Sequence, residues 1–207
     1  YGLHESTGIP RNWDSERDQP DDERALEISQ ALAFLIDLAE NGADAWRERA
    51  LAAAARIGET VLARGVLPDG AIAARYRPSD GAPNTDTPPL RALDMPAQLG
   101  RLGRLLDDER LLAAARAATR RFEFTHYWAG SWEFLDPGFD DHFGHFGERG
   151  LVLWRADPTT PSFRRIALGG LEYYAPRWHD AVRLGGYVAA DEVRCWPIAT
   201  GIAGREP

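Results

Sequence analysis

The sequence predicts a mainly α fold built from helical hairpins, with short extended segments gathered at one end of each hairpin. Three observations carry that expectation. Apolar residues recur at helical spacing in paired runs separated by tight turn signals. The stretch Glu48-Arg49-Ala50-Leu51-Ala52-Ala53-Ala54 is echoed 61 residues later by Glu109-Arg110-Leu111-Leu112-Ala113-Ala114-Ala115. Between the helices, Asp69-Gly70-Ala71-Ile72-Ala73-Ala74-Arg75-Tyr76 is similar in kind to Ala129-Gly130-Ser131-Trp132-Glu133-Phe134-Leu135-Asp136, with Thr7-Gly8-Ile9-Pro10-Arg11-Asn12-Trp13 as a third copy. A hairpin of this length cannot bury its apolar face alone, so successive units must stack on one another.

In the first unit, residues 1–64, the extended segment at Thr7 leads through a polar loop into a helix marked by Ala25, Ile28, Leu32, Leu35, Ile36 and Ala39. Asn41-Gly42 supplies a stop of the kind a left-handed cap favours. Trp46, Ala50, Ala53, Ile57 and Val61 mark the partner helix. In the second unit, residues 65–125, Leu99, Leu102, Leu105 and Leu106 form one stripe, and Leu112, Ala115, Ala118 and Phe122 the next, with Asp107-Asp108 between them. Pro96 is expected to kink or restart the first of these helices, because proline has no N–H to donate. The third unit, residues 126–185, is read as a helix from about Asp140 to Trp154, a turn at Asp157-Pro158 and a helix from Ser162 to Tyr174. A truncated fourth occupies residues 186–207, all within a single domain spanning 1–207.

This pattern resembles the (α/α) toroid of carbohydrate-active enzymes, a group that includes glycoside hydrolases, polysaccharide lyases and sugar epimerases. The resemblance implies an incomplete (α/α) toroid. Members of that group close a full ring of hairpins, whereas an arc of three and a fraction leaves apolar edges exposed. Another segment or chain completing the toroid is therefore expected. The opening Tyr1-Gly2-Leu3-His4-Glu5 has no initiator Met, basic segment or apolar run, which suggests that something upstream has been removed.

Composition narrows the field of functions. At 207 residues, with 44% apolar and 27% charged side chains, the chain reads as an ordinary globular domain able to bury a core. No apolar run is long enough to cross a membrane as a helix. A net charge of -8 with no clustered basic run argues against nucleic acid, which needs a positive footprint. All 24 basic residues are arginine, which reflects coding bias more simply than chemistry. Cys195 is the only cysteine, so an internal disulfide or a multi-cysteine zinc site is excluded and the compartment stays open.

The richest chemistry lies in the third loop and the helix after it, His126 to Arg149. A helix starting near Asp140 puts Asp141, His145 and Glu148 at i, i+4 and i+7, so two carboxylates and an imidazole share a face. Glycosidic cleavage needs a protonated carboxyl beside the leaving oxygen and a second carboxylate as base or nucleophile. Asp140, Asp141 and Glu148, with His145, are the candidate catalytic groups. Capping and macrodipole effects place acidic residues at helix starts without any catalytic purpose, and that plainer reading applies most directly to Asp140.

Tyr127, Trp128, Trp132, Asp136 and His142 are the substrate-binding candidates around this cluster, because aromatic faces stack on sugar rings while polar groups bind hydroxyls. His142 and His145 lack a third His at ligand spacing, so no metal and no cofactor is assigned. Gly144, Gly147 and Gly150 weaken the helix and make sense where a ligand or another helix approaches the backbone. In the second unit, Arg75 and Arg77 would clamp a substrate carboxylate if the sugar were a uronate.

The toroid resemblance implies an oligo- or polysaccharide substrate and, foremost, glycoside hydrolysis. A lyase or epimerase on the same scaffold would use Tyr127, His142 or His145 as base with Arg75 as clamp. An isoprenoid cyclase would want an aromatic cleft almost free of hydrogen-bonding groups, which the Arg, Asn and Asp content of the loops disfavours. A non-catalytic helical-repeat module would show no convergent carboxylates.

Overall fold

The structure, a computed structural model, describes residues 2–85, 93–120 and 140–168, with the backbone alone for 140–147. It is mainly helical. The chain divides into two compact units, residues 1–118 and 119–207.

The first unit contains two helical hairpins. α1 (Ser29–Asn41) and α2 (Asp44–Arg64) form the first, and α3 (Asp94–Leu106) and α4 (Glu109–Thr119) the second. Each hairpin turns within two residues, which forces its helices to run antiparallel. The turns use glycine and aspartate differently from the sequence expectation. Gly42 is extended at φ -76° rather than left-handed. It is needed there because a Cβ would stand 2.4 Å from the Leu38 carbonyl oxygen. The left-handed cap is Asp107 at φ 56°, a conformation short polar side chains tolerate. Pro96 sits in the first turn of α3, where helical N–H groups have no intrahelical acceptor anyway, so it opens the helix without kinking it.

Among the described residues, five short strands accompany the hairpins. β1 (Asn12–Asp14) pairs with β2 (Gln19–Asp21), and β3 (Leu26–Glu27), β4 (Arg75–Tyr76) and β5 (Pro83–Asn84) form an antiparallel sheet in that order. Two further bridges, Leu3 with Pro10 and Val66 with Ile72, each close a loop containing a left-handed glycine, Gly8 or Gly70. Buried Ile9 and Ile72 follow those glycines in two of the three copies of the extended segment; the third, residues 129–136, lies outside the described residues.

All of this collects at one end of the unit. Gly65, just past α2, lies against the Tyr76 ring. β4 pairs with β3, which leads into α1. Gly70 lies against Ala117 near the end of α4. α1 and α3 therefore start, and α2 and α4 finish, at the end that carries the strands. Thr7 fastens the opening segment there: its hydroxyl donates to the Pro78 carbonyl at 2.7 Å, and Thr60 in α2 donates to the Thr7 carbonyl at 2.7 Å.

The core runs through both hairpins, with Ile28, Leu32, Ile36, Ile57, Val61, Leu99 and Leu102 all fully buried. Each such side chain contributes about 1.5–3 kcal/mol. Burial along α2 and α4 repeats with the sequence echo: Ala50, Ala53, Ala54 and Ile57 match Leu111, Ala114, Ala115 and Ala118, all buried. Trp46 departs from the expected stripe, since α2 is exposed from Asp44 to Arg49 and the indole is 50% exposed. Arg49 stacks over it, 4.7 Å from the ring centroid. Leu105 is likewise at the surface. Arg101 reaches Asp37 and Glu40 from α3 to α1, and Arg110 reaches Glu59 from α4 to α2.

In the second unit α5 (Asp140–Ala156) is followed by a turn and by helical residues 161–168. The turn is held by Asp157, whose carboxylate accepts from the Thr159 N–H and hydroxyl and from the Thr160 hydroxyl. Leu153, Phe163, Ile166 and Ala167 are buried. At Gly150 the two helices nearly touch, since a Cβ would stand 2.4 Å from the Ala167 nitrogen. Of the three glycines read as points of close approach, Gly150 meets a helix; Gly144 and Gly147 lie where only the backbone is described. Among the described residues no helix is long and apolar enough to cross a membrane.

Candidate functional site

The strand-bearing end of the first unit holds both arginines singled out from the sequence. Arg75 lies on β4, directly opposite Glu27 of β3 and Asn84 of β5. It is exposed and, among the described residues, makes no ion pair. Arg77 follows one residue after the strand and is engaged. Its Nε donates to Asp80 Oδ1 at 3.0 Å and its Nη2 to Asp80 Oδ2 at 2.7 Å, with Glu23 at 3.8 Å. The planar fork that could bind a substrate carboxylate is occupied by one from its own loop. Arg77, and next the Ala82 N–H, pull the Asp80 carboxyl down to about 2.

The neighbouring acidic loop is equally self-contained. Asp14 accepts the Glu16 and Arg17 N–H groups at 2.9 and 3.1 Å, and Asp21 accepts those of Glu23 and Arg24 at 3.3 and 3.2 Å. Asp22 takes Arg11, whose side-chain hydrogen bond holds that carboxyl below its ordinary range. These carboxylates shape turns and leave little for a ligand.

Three features at this end were not anticipated. Glu27 caps α1 from outside: its Oε1 accepts the Ser29 N–H at 2.8 Å and the Ser29 hydroxyl at 2.5 Å, while the N-cap residue itself, Ile28, has no side-chain oxygen to offer. α3 begins the same way, with fully buried Leu93 at the N-cap and a buried polar residue, Asp94, next. Gln98, one turn further, is also buried. Nothing in the local sequence marks these groups, because residues 93–100 are buried on every side of the helix and that burial is tertiary. Tyr76, buried in the sheet, donates to the Ala73 carbonyl at 2.9 Å, and burial followed by the charge of Glu27 raises its phenol.

In the second unit α5 starts at Asp140, the position on which the i, i+4, i+7 spacing of Asp141, His145 and Glu148 depends. Glu148 is exposed and pairs with Arg149 at 3.0 Å. For Asp140, Asp141, His142 and His145 the backbone alone is described, and Tyr127, Trp128, Trp132 and Asp136 lie outside the described residues. No protein-family model, no curated protein and no solved structure matches this chain.

Proposed function

We propose that this chain belongs to a glycoside hydrolase, with the catalytic groups drawn from α5. The observation that supports this reading is the start of that helix at Asp140. A continuous helix from that residue keeps the carboxylates of Asp141 and Glu148 and the imidazole of His145 on one recurring register. In the proposed chemistry Asp140 or Asp141 protonates the leaving oxygen as the glycosidic bond breaks. Glu148, exposed beside Arg149, is the second carboxyl group, which activates water or attacks the anomeric carbon. His145, one turn from Asp141, orients or relays the proton. Trp128 and Trp132 stack on the sugar, while Tyr127, Asp136 and His142 bind its hydroxyls.

A uronate lyase or epimerase is the second reading. Arg75 favours it, being exposed and without an ion-pair partner among the described residues, and so available to a substrate carboxylate.

Release of reducing ends from neutral and uronate polysaccharides tests both. Asp141→Asn and Glu148→Gln are expected to lose about a hundredfold or more of turnover with folding unchanged. Parent and variants turning over equally, or no substrate turned over at all, would end the hydrolase reading. Product carrying an unsaturated uronate, lost on Arg75→Ala, would move the lyase ahead.

A further inference from the structure

Asn41 and Gly42 close α1 at the end of the first unit opposite the strands. The chain has three asparagines, Asn12, Asn41 and Asn84, and Asn41 alone is followed by glycine. Glycine lacks the Cβ that elsewhere shields a backbone nitrogen, so an Asn-Gly pair is where that nitrogen can reach the preceding side-chain amide. The fold cannot dispense with the glycine here, because a Cβ at position 42 would stand 2.4 Å from the Leu38 carbonyl oxygen. That same oxygen accepts the Gly42 N–H at 2.9 Å. The Gly42 carbonyl in turn accepts Arg47 Nε at 2.8 Å. A reactive pair is thus kept for packing and held shut by two hydrogen bonds, while the Asn41 side chain is exposed.

We infer that Asn41-Gly42 is a latent deamidation site, closed while the end of α1 is intact and opened when that turn frays. In the reaction the Gly42 nitrogen gives up its proton and bonds to Asn41 Cγ, and ammonia leaves from that carbon. Water then opens the resulting cyclic imide. Breaking the nitrogen's bond to Cγ gives aspartate; breaking its bond to the main-chain carbonyl gives isoaspartate. The Leu38 carbonyl holds the proton that must leave, so the reaction proceeds only from the frayed population. The product resists closing. It sets a negative charge at the negative end of the helix macrodipole, one turn from Asp37, a spacing at which like charges repel. Isoaspartate also adds a carbon to the main chain, which a two-residue turn cannot absorb and keep its register. The result is a slow, one-way loosening of the first hairpin, independent of any hydrolase activity.

Peptide mapping of the intact chain in mildly alkaline buffer follows the mass gain at Asn41, with the folded chain set against the same chain in guanidinium chloride. Asn41 is expected to react at least about tenfold more slowly when folded, and faster than Asn12 and Asn84 when unfolded. Arg47→Ala removes the bond to the Gly42 carbonyl, so the folded rate should rise about threefold or more, together with hydrogen exchange at the Gly42 N–H. Asn41→Asp carries the charge of the product and should melt about 1–3 °C below the parent at neutral pH. Equal rates at Asn41 in the folded and unfolded chains overturn the inference, because the turn then gates nothing. So does an Asn41 no faster than Asn12 or Asn84 when unfolded, or an unchanged folded rate in Arg47→Ala. Asn41→Asp melting level with the parent overturns the one-way loosening.

Discussion

Gly65 and Tyr76 show how a single contact fixes a residue type. A Cβ at position 65 would overlap the Tyr76 hydroxyl at 1.8 Å, and that hydroxyl is bound to the Ala73 carbonyl. Gly65→Ala must displace a fully buried ring and break its hydrogen bond, at an expected cost of about 2 kcal/mol or more in chemical denaturation. Asp80 supplies a pH dependence. Its folded value is depressed to about 2 from the ordinary 3.8, so its contribution is complete above the ordinary value and disappears as pH falls through about 2. The side chain is 46% exposed, which limits the effect to no more than about 1 kcal/mol. Asp80→Asn should therefore be less stable than the parent at pH 7 and equal to it near the folded value. Arg77 was read from the sequence as a clamp for a substrate carboxylate, whereas the carboxylate it holds here is one of its own loop. That its carboxylate is Asp80, three residues on, depends on the turn at Gly81, whose φ is 74°.

Two helical glycines separate close packing that yields from close packing that does not. At Gly58 in α2 a Cβ would meet Leu102 Cδ2 at 2.9 Å and Leu111 Cδ2 at 3.3 Å, both ends of flexible side chains. At Gly150 it would meet the backbone of Ala167. Alanine gains about 1 kcal/mol of helix propensity in either place. Gly58→Ala should thus stay within about 1 kcal/mol of the parent, whereas Gly150→Ala should lose about 2 kcal/mol or more as two helices are forced apart, both read from thermal melts. The hairpins were readable because apolar spacing is local, and the echo between α2 and α4 extends to the burial of each matched position. Trp46 was misread because its spacing continues the stripe of α2 into a turn whose residues, Asp44 to Arg49, are all exposed. The echo held the clue: it begins at Glu48, so the turn of α2 that carries Trp46 has no counterpart in α4.

At the scale of the whole chain, the core cluster of the first unit runs, among the described residues, from Ile9 to Ala118. A fragment of residues 1–120 is expected to unfold cooperatively, with near-ultraviolet dichroism from the buried Tyr76. A non-cooperative melt would show that this core needs the remaining chain. Stacked hairpins with strands at one end could be anticipated from the repeat. The buried polar groups at the start of α3 could not, since they depend on what surrounds a helix and not on its own spacing.

The first unit is closed differently at its two ends. α3 meets α4 through two residues at Asp107, with Gly103 pressed against Leu111 and Leu112, whereas the β1–β2 hairpin presents an exposed tip from Ser15 to Asp18. Lengthening a loop costs little, about 0.6 kcal/mol per doubling, when its ends are already held. A peptide grafted after Glu16 would leave the scaffold standing, and the same graft at Asp107 would pry its helices apart. Such a body can be diversified from one side only, which makes its strand-bearing end the natural place to write new specificity.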